Sequence, residues 1–124
     1  MKSRTGALAP APPPVRTAKL SPLTAETTLT GKVTKAMVTQ AFDDLATAGA
    51  KVWIVDLLNS DGYEPSAIPT ATDRILRARA AGLEKLAVIA KSGAIRMAAS
   101  AVRVSTGFPI LILDSREDAQ SHIK

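Results

Sequence analysis

Residues 52–68 read Val-Trp-Ile-Val-Asp-Leu-Leu-Asn-Ser-Asp-Gly-Tyr-Glu-Pro-Ser-Ala-Ile. The first seven carry one charge and are rich in branched and aromatic side chains, the pattern of a strand buried on both faces. Asn59, Ser60, Asp61 and Gly62 form a turn cluster, since each tolerates tight or left-handed backbone. Pro65 or Ser66 then opens a helix. Pro69 lies three residues beyond Ser66, and proline fits only the first helical turn, where its missing N–H is no loss. Ser66 is therefore read as the N-cap. Strand, turn and helix start in this order place the working edge of an open α/β sheet here, where helix N–H groups point outward.

Outward from this stretch one theme recurs: an amphipathic helix, a glycine, then an apolar strand. Thr34 caps a helix with Val38, Ala41, Phe42 and Leu45 on one face, and Gly49 ends it before the strand 52–58. A second helix aligns Ile68, Ala71, Ile75 and Ala78; Gly82 stops it, and 86–90 is the next strand. The third aligns Ile95, Ala98, Ala99 and Val102, with Gly107 at its end and 110–113 as the last strand. Ser115 and Asp118 start a short final helix in a capping-box-like manner. Upstream, 15–20 and 27–33 read as a hairpin around the turn 21–26. Alternating helices and strands imply parallel strands with right-handed crossovers. The fold class is α/β: a mixed four- to five-stranded sheet with an N-terminal hairpin followed by repeated helix–strand units. Residues 1–16 read as a disordered Pro-rich arm and 17–124 as the domain.

At 124 residues the chain has room for one core, and with 3% aromatic residues that core is built from Ala, Val, Ile and Leu. No apolar run is long enough to cross a bilayer, and the N-terminus lacks the apolar segment of a secretory signal. The absence of cysteine removes disulfides, thiolate catalysis and cysteine-ligated zinc, and fits a cytoplasmic protein. Net charge is +5. Residues 1–30 hold four cations against one anion, so the remainder, with 12 Lys and Arg against 10 Asp and Glu, is nearly balanced. Nucleic-acid binding, which needs a basic face with stacking aromatics, is not expected.

No P-loop or dinucleotide-binding glycine motif is present, and no cofactor is expected. His122 is the only histidine and reads as a solvated residue of the last helical turn. Asp56, Asp61, Glu64 and Asp114 fall near strand ends, where they either converge as a magnesium or general-base site or cap helices and brace loops. Lys91-Ser92-Gly93 lies at a strand-to-helix turn: either an anion site, or a serine cap with a permissive glycine. A phosphate on Ser66 would favour the same helix end that its hydroxyl caps. Arg74, Arg77 and Arg79, with Arg96 and Arg103, form a basic rim that is either solvated or faces an acidic partner. Trp53 reads as core and Tyr63 as exposed.

The hairpin ending in Thr30-Gly31-Lys32-Val33-Thr34, the strand 52–58, the Gly62-Tyr63-Glu64-Pro65 turn and the Arg-rich second helix resemble STAS-type domains, most closely the SpoIIAA-like (STAS/SEC14-like) proteins. The run from Leu86-Ala87-Val88-Ile89 through Ile95-Arg96-Met97-Ala98 to Ile110–Leu113 and the acidic ending carries the same likeness, over about residues 17–123. The resemblance implies a non-enzymatic regulatory module of the anti-sigma factor antagonist kind, with no catalytic residue and no metal. Such proteins bind a partner kinase and are released by phosphorylation of a serine at the start of the second helix. That spot typically reads Asp-Ser-Ser or Asp-Ser-Thr followed by Gly. Here Glu64-Pro65-Ser66-Ala67 stands in its place, with proline at the usual acceptor position and Ser66 one residue later. The implied partner surface is Asn59, Ser60, Asp61, Gly62, Tyr63, Glu64, Ser66, Arg74 and Arg77, with Ser66 or Ser60 as phosphorylation candidates. The alternative is a small-ligand or lipid-binding module with an apolar groove between helices and sheet; an enzyme built on the strand-end carboxylates is a third. The sheet edge beside the hairpin leaves room for a homo-oligomer.

Overall fold

A computed structural model describes residues 14–123, without the side chains of residues 120, 122 and 123. Most of the Pro-rich arm, residues 1–13, and the side chain of His122 thus lie outside the described residues. The chain order is β1 (Val15–Ser21), β2 (Thr24–Thr30), α1 (Lys35–Ala48), β3 (Val52–Asn59), α2 (Ala67–Ala80), β4 (Lys85–Ile89), α3 (Gly93–Thr106), β5 (Ile110–Leu113) and α4 (Arg116–Ile123). The five strands lie side by side in chain order, β1 antiparallel to β2 and the others parallel.

The hairpin is tighter than the sequence implies. β2 begins at Thr24, not at residue 27, whereas β1 begins at Val15 as the strand reading expects and so overlaps the last two residues of the arm drawn as 1–16. Only Pro22 and Leu23 turn the chain. Lys51 and Val52 donate their N–H groups to the Leu23 carbonyl, which ties this turn to the start of β3. Ala25, Glu26 and Thr27, assigned to the turn or the strand start, are all buried. Glu26 is tolerated inside because Arg116 of α4 reaches its carboxylate at 2.7 Å, and a buried charge requires such a partner.

Strand alternation divides the core between two faces. Trp53, Val55 and Leu57 of β3, with Leu86 and Val88 of β4, face α1, α2 and α3. Ile54, Ala87 and Ile89 face the other way and meet Ala119 of α4. Trp53 packs edge-on against Phe42 of α1, ring centroids 4.8 Å apart. Truncating so large a buried ring costs on the order of 3–5 kcal/mol. Its indole N–H is satisfied in a chain of fixed direction. An ionised carboxylate only accepts, so Thr17 donates to Asp44 (3.1 Å). Thr27 must then donate to Thr17 (2.8 Å), which leaves its own oxygen for the Trp53 N–H (2.9 Å).

Helix ends follow the expected chemistry at both N-caps and glycine stops. Thr34 accepts the Met37 N–H, and Ser115 accepts that of Asp118. At the end of α2, Gly82 takes φ 115°, donates to Arg79, and lets Leu83 donate back to Ala78. This paired closure satisfies two free carbonyls and needs a left-handed residue where only glycine is unstrained.

Candidate functional site

Because β2 to β5 run in parallel, their C-terminal ends share one edge of the sheet. Four turns gather there, spanning residues 31–34, 60–66, 90–92 and 114–115. The β3–α2 turn is the longest, and it is stitched down by backbone. Gly31 donates to Asn59 (3.0 Å), Val33 to Gly62 (2.9 Å) and Glu64 to Val33 (2.8 Å). Val33, expected as the end of the hairpin strand, instead forms a one-residue parallel bridge with Tyr63.

The predicted site residues divide by how their polar groups are used. Ser60 is 4% exposed, and its hydroxyl donates to the Leu29 carbonyl at 3.0 Å. Glu64 accepts the Lys35 N–H at 3.0 Å. α1 has no acidic residue in its first turn, so Glu64 supplies the negative charge that a helix N-terminus favours. Tyr63, read as exposed, is half-buried against the core. Asn59, Asp61 and Ser66 remain exposed, as does Pro65 between them.

Ser66 stands at the N-cap position of α2 as the sequence predicts, but its side chain does not cap the helix. The Ser66 backbone is already helical, φ −66° and ψ −15°. The cause lies in Pro65. The chain turns at Glu64-Pro65, whose carbonyls accept the N–H groups of Ala67 (2.9 Å) and Ile68 (3.3 Å). The helical donors are thus met by backbone, and the Ser66 hydroxyl makes no hydrogen bond among the described residues.

At the neighbouring turn Ser92 has extended backbone and accepts the Ile95 N–H at 3.4 Å. Its hydroxyl also reaches the Asp61 carbonyl at 3.5 Å, which joins the two turns. Of the two readings of Lys91-Ser92-Gly93, the structure displays the cap; Lys91 is exposed beside it. The strand-end carboxylates do not converge. Asp56 is buried on the α4 face and accepts the Leu58 N–H. Asp114 pairs with Arg96 at 2.6 Å, and Arg96 also donates to the Ala90 carbonyl. Among the described residues, no group of three or more His, Asp or Glu could hold a metal ion.

Arg74 and Arg77 stand apart from this edge. Arg74 pairs with Asp43 of α1 at 2.6 Å and lies over the Phe42 ring at 5.7 Å, a brace between helices and not a free rim residue. Arg77 pairs with Asp73 one turn earlier. It stands 11 positions beyond Ser66, roughly 16 Å along the helix.

No family model and no curated protein matches the sequence. Solved structures match the fold across nearly the whole chain. One is an uncharacterized DUF3478-family protein with a SpoIIAA-like fold from Shewanella loihica: 16% identical, TM-score 0.63, covering 100% of this chain and 99% of that one. An anti-sigma factor antagonist from Mycobacterium paratuberculosis is 13% identical with TM-score 0.66, over 88% and 92% of the two chains. The Bacillus cell fate determinant SpoIIAA in its phosphorylated form is 16% identical with TM-score 0.65, over 89% and 99%. The chain has the SpoIIAA-like, STAS-type fold. Among the described residues no helix is long and apolar enough to cross a membrane.

Proposed function

We propose that the chain is a non-enzymatic regulatory module of cytoplasmic signalling that binds a protein partner through the β3–α2 edge, residues 59–66, and that phosphorylation of Ser66 switches this contact. The observation that carries the reading is the unspent Ser66 hydroxyl, exposed at the start of α2 on a turn held by backbone bonds. A phosphate there adds close to two negative charges at a helix N-terminus. It would change the potential of an edge whose other exposed side chains, Asn59, Asp61 and Pro65, carry a single formal charge. Ser60 does not suit this role, because its hydroxyl is buried and committed to Leu29. Structural likeness to two proteins of the anti-sigma factor antagonist type, one of them solved in a phosphorylated form, supports the same reading.

The test is affinity purification of wild type, Ser66→Asp and Asp61→Lys from the native host, with the captured proteins compared by mass spectrometry. A partner held by wild type and lost from both variants, each with an unchanged circular dichroism spectrum, is the expected result. The same partners on all three chains would remove this edge from the interface.

A further inference from the structure

The core beneath α2 and α3 is incompletely filled. A pocket of about 130 Å³, partly open to solvent, lies between the sheet and the helices, with Val55 and Val88 on its floor and Phe42, Ile75 and Ile95 on its walls. Essentially all of its lining surface is apolar. The composition accounts for the void. Positions facing the sheet from the two helices include Ala67, Ala71, Ala98 and Ala99, and a methyl group spans much less than the branched or aromatic side chain that would fill the gap.

We infer that this cavity is a binding site for a small, uncharged hydrocarbon group of single-ring size, a function separate from the interaction edge. Water is a poor occupant, because an ordered water needs two to four polar partners. Among the lining residues only Tyr63 and Trp53 carry a polar side-chain group, and the Trp53 N–H is already given to Thr27. An unfilled void forfeits the dispersion contacts of its walls, so a guest that restores them without polar atoms is favoured. The size fits: a cavity of about 150 Å³ lined by Leu, Ile and Phe stays dry and takes benzene. The lining residues that are not fully buried are Tyr63, Ile68, Ala71, Ala98 and Ala99, which places the way in at the seam between α2 and α3. Tyr63 also belongs to the β3–α2 turn, so the guest would touch one residue of the interaction edge.

The probe is benzene, titrated into the full chain carrying ¹³C-labelled methyl groups. Saturable shifts are expected at Ile75, Val88 and Ile95, with the methyls of Leu111 and Leu113 on the opposite sheet face unmoved. Hydroquinone should bind at least tenfold more weakly, since its two opposed hydroxyls cannot both reach the mouth and a buried unpaired hydroxyl is costly. Ala71→Leu should fill the void, weaken benzene binding at least tenfold and keep or raise the melting temperature. If overpacking lowers the melting temperature of that variant, the smaller Ala99→Val carries the same expectation. Absence of saturable shifts in wild type, shifts spread over both faces, equal affinity for hydroquinone, or undiminished binding by the filled variants would each overturn the inference.

Discussion

Two strand-to-helix turns stand side by side on the same sheet edge, and each places a serine just before its helix. At β4–α3, Ser92 keeps extended backbone, φ −63° and ψ 127°, and its oxygen reaches the Ile95 N–H. At β3–α2, Ser66 differs in ψ by more than a quarter turn and caps nothing. The identical side chain is structural in one turn and idle in the other. Capping therefore depends on whether the backbone is still extended at that residue, and Pro65 moves the bend upstream of Ser66. The pre-proline residue Glu64 is steered away from helical backbone, so the proline itself begins the turn.

What anchors the β3–α2 turn in place of a cap can be tested by substitution, with stability read from urea unfolding. The largest effect belongs to Tyr63→Ala, which removes a side chain packed on the core and lining the cavity. A loss of about 2–3 kcal/mol is expected, below the range for fully buried rings because Tyr63 is half-exposed. A loss under about 0.5 kcal/mol would show that the backbone bonds to residues 31–33 suffice. Ser60→Ala comes next. It deletes a buried hydroxyl that donates to Leu29, and about 1–2 kcal/mol is expected for the unmade bond. Ser92→Ala follows at about 1 kcal/mol, the ordinary cost of a lost N-cap. Equal stability of Ser92→Ala and wild type would break the contrast between the turns, because Ser92 would then be as idle as Ser66.

The sheet and its helices were legible because they rest on local pattern. Val52–Leu58 is apolar enough to declare a buried strand, and Gly49, Gly82 and Gly107 punctuate three helices. The missed features each depend on a partner distant in sequence. Glu26 looks like a turn residue until Arg116, 90 positions on, neutralises it inside. Arg74 looks like a solvated rim until Asp43 and Phe42 of another helix claim it. Glu64 looks free until the acid-poor start of α1 takes its carboxylate. The alanines at 71, 98 and 99 read as core-facing, but periodicity encodes direction and not distance, so the pattern of residues does not disclose the space above the sheet; an apolar groove there entered only as the alternative to a protein-binding module. Ser66 is a different kind of miss. The controlling residue was its own neighbour, and proline admits both a bend at 65 and a cap at 66.

The smallest expected effect discriminates most sharply. Ser66→Ala should change stability by no more than about 0.5 kcal/mol, as for an exposed side chain without a structural bond. Ser66→Asp should add about 0.3–1 kcal/mol at low ionic strength, because a negative charge now sits at the positive end of α2. That gain should shrink as salt screens the exposed charge. Both responses differ in kind from those at position 92, where alanine removes a cap and aspartate, an equally good capping residue, replaces one. If Ser66→Ala costs as much as Ser92→Ala, the hydroxyl is capping α2 after all. It would then be committed in the same way as that of Ser92, and a kinase acting on it would first have to break a helix cap. If the alanine variant is neutral and the aspartate variant gains salt-sensitive stability, the α2 N-terminus accepts the charge of a phosphate without loss of fold. A switch at that position would then act on the partner and leave the domain intact.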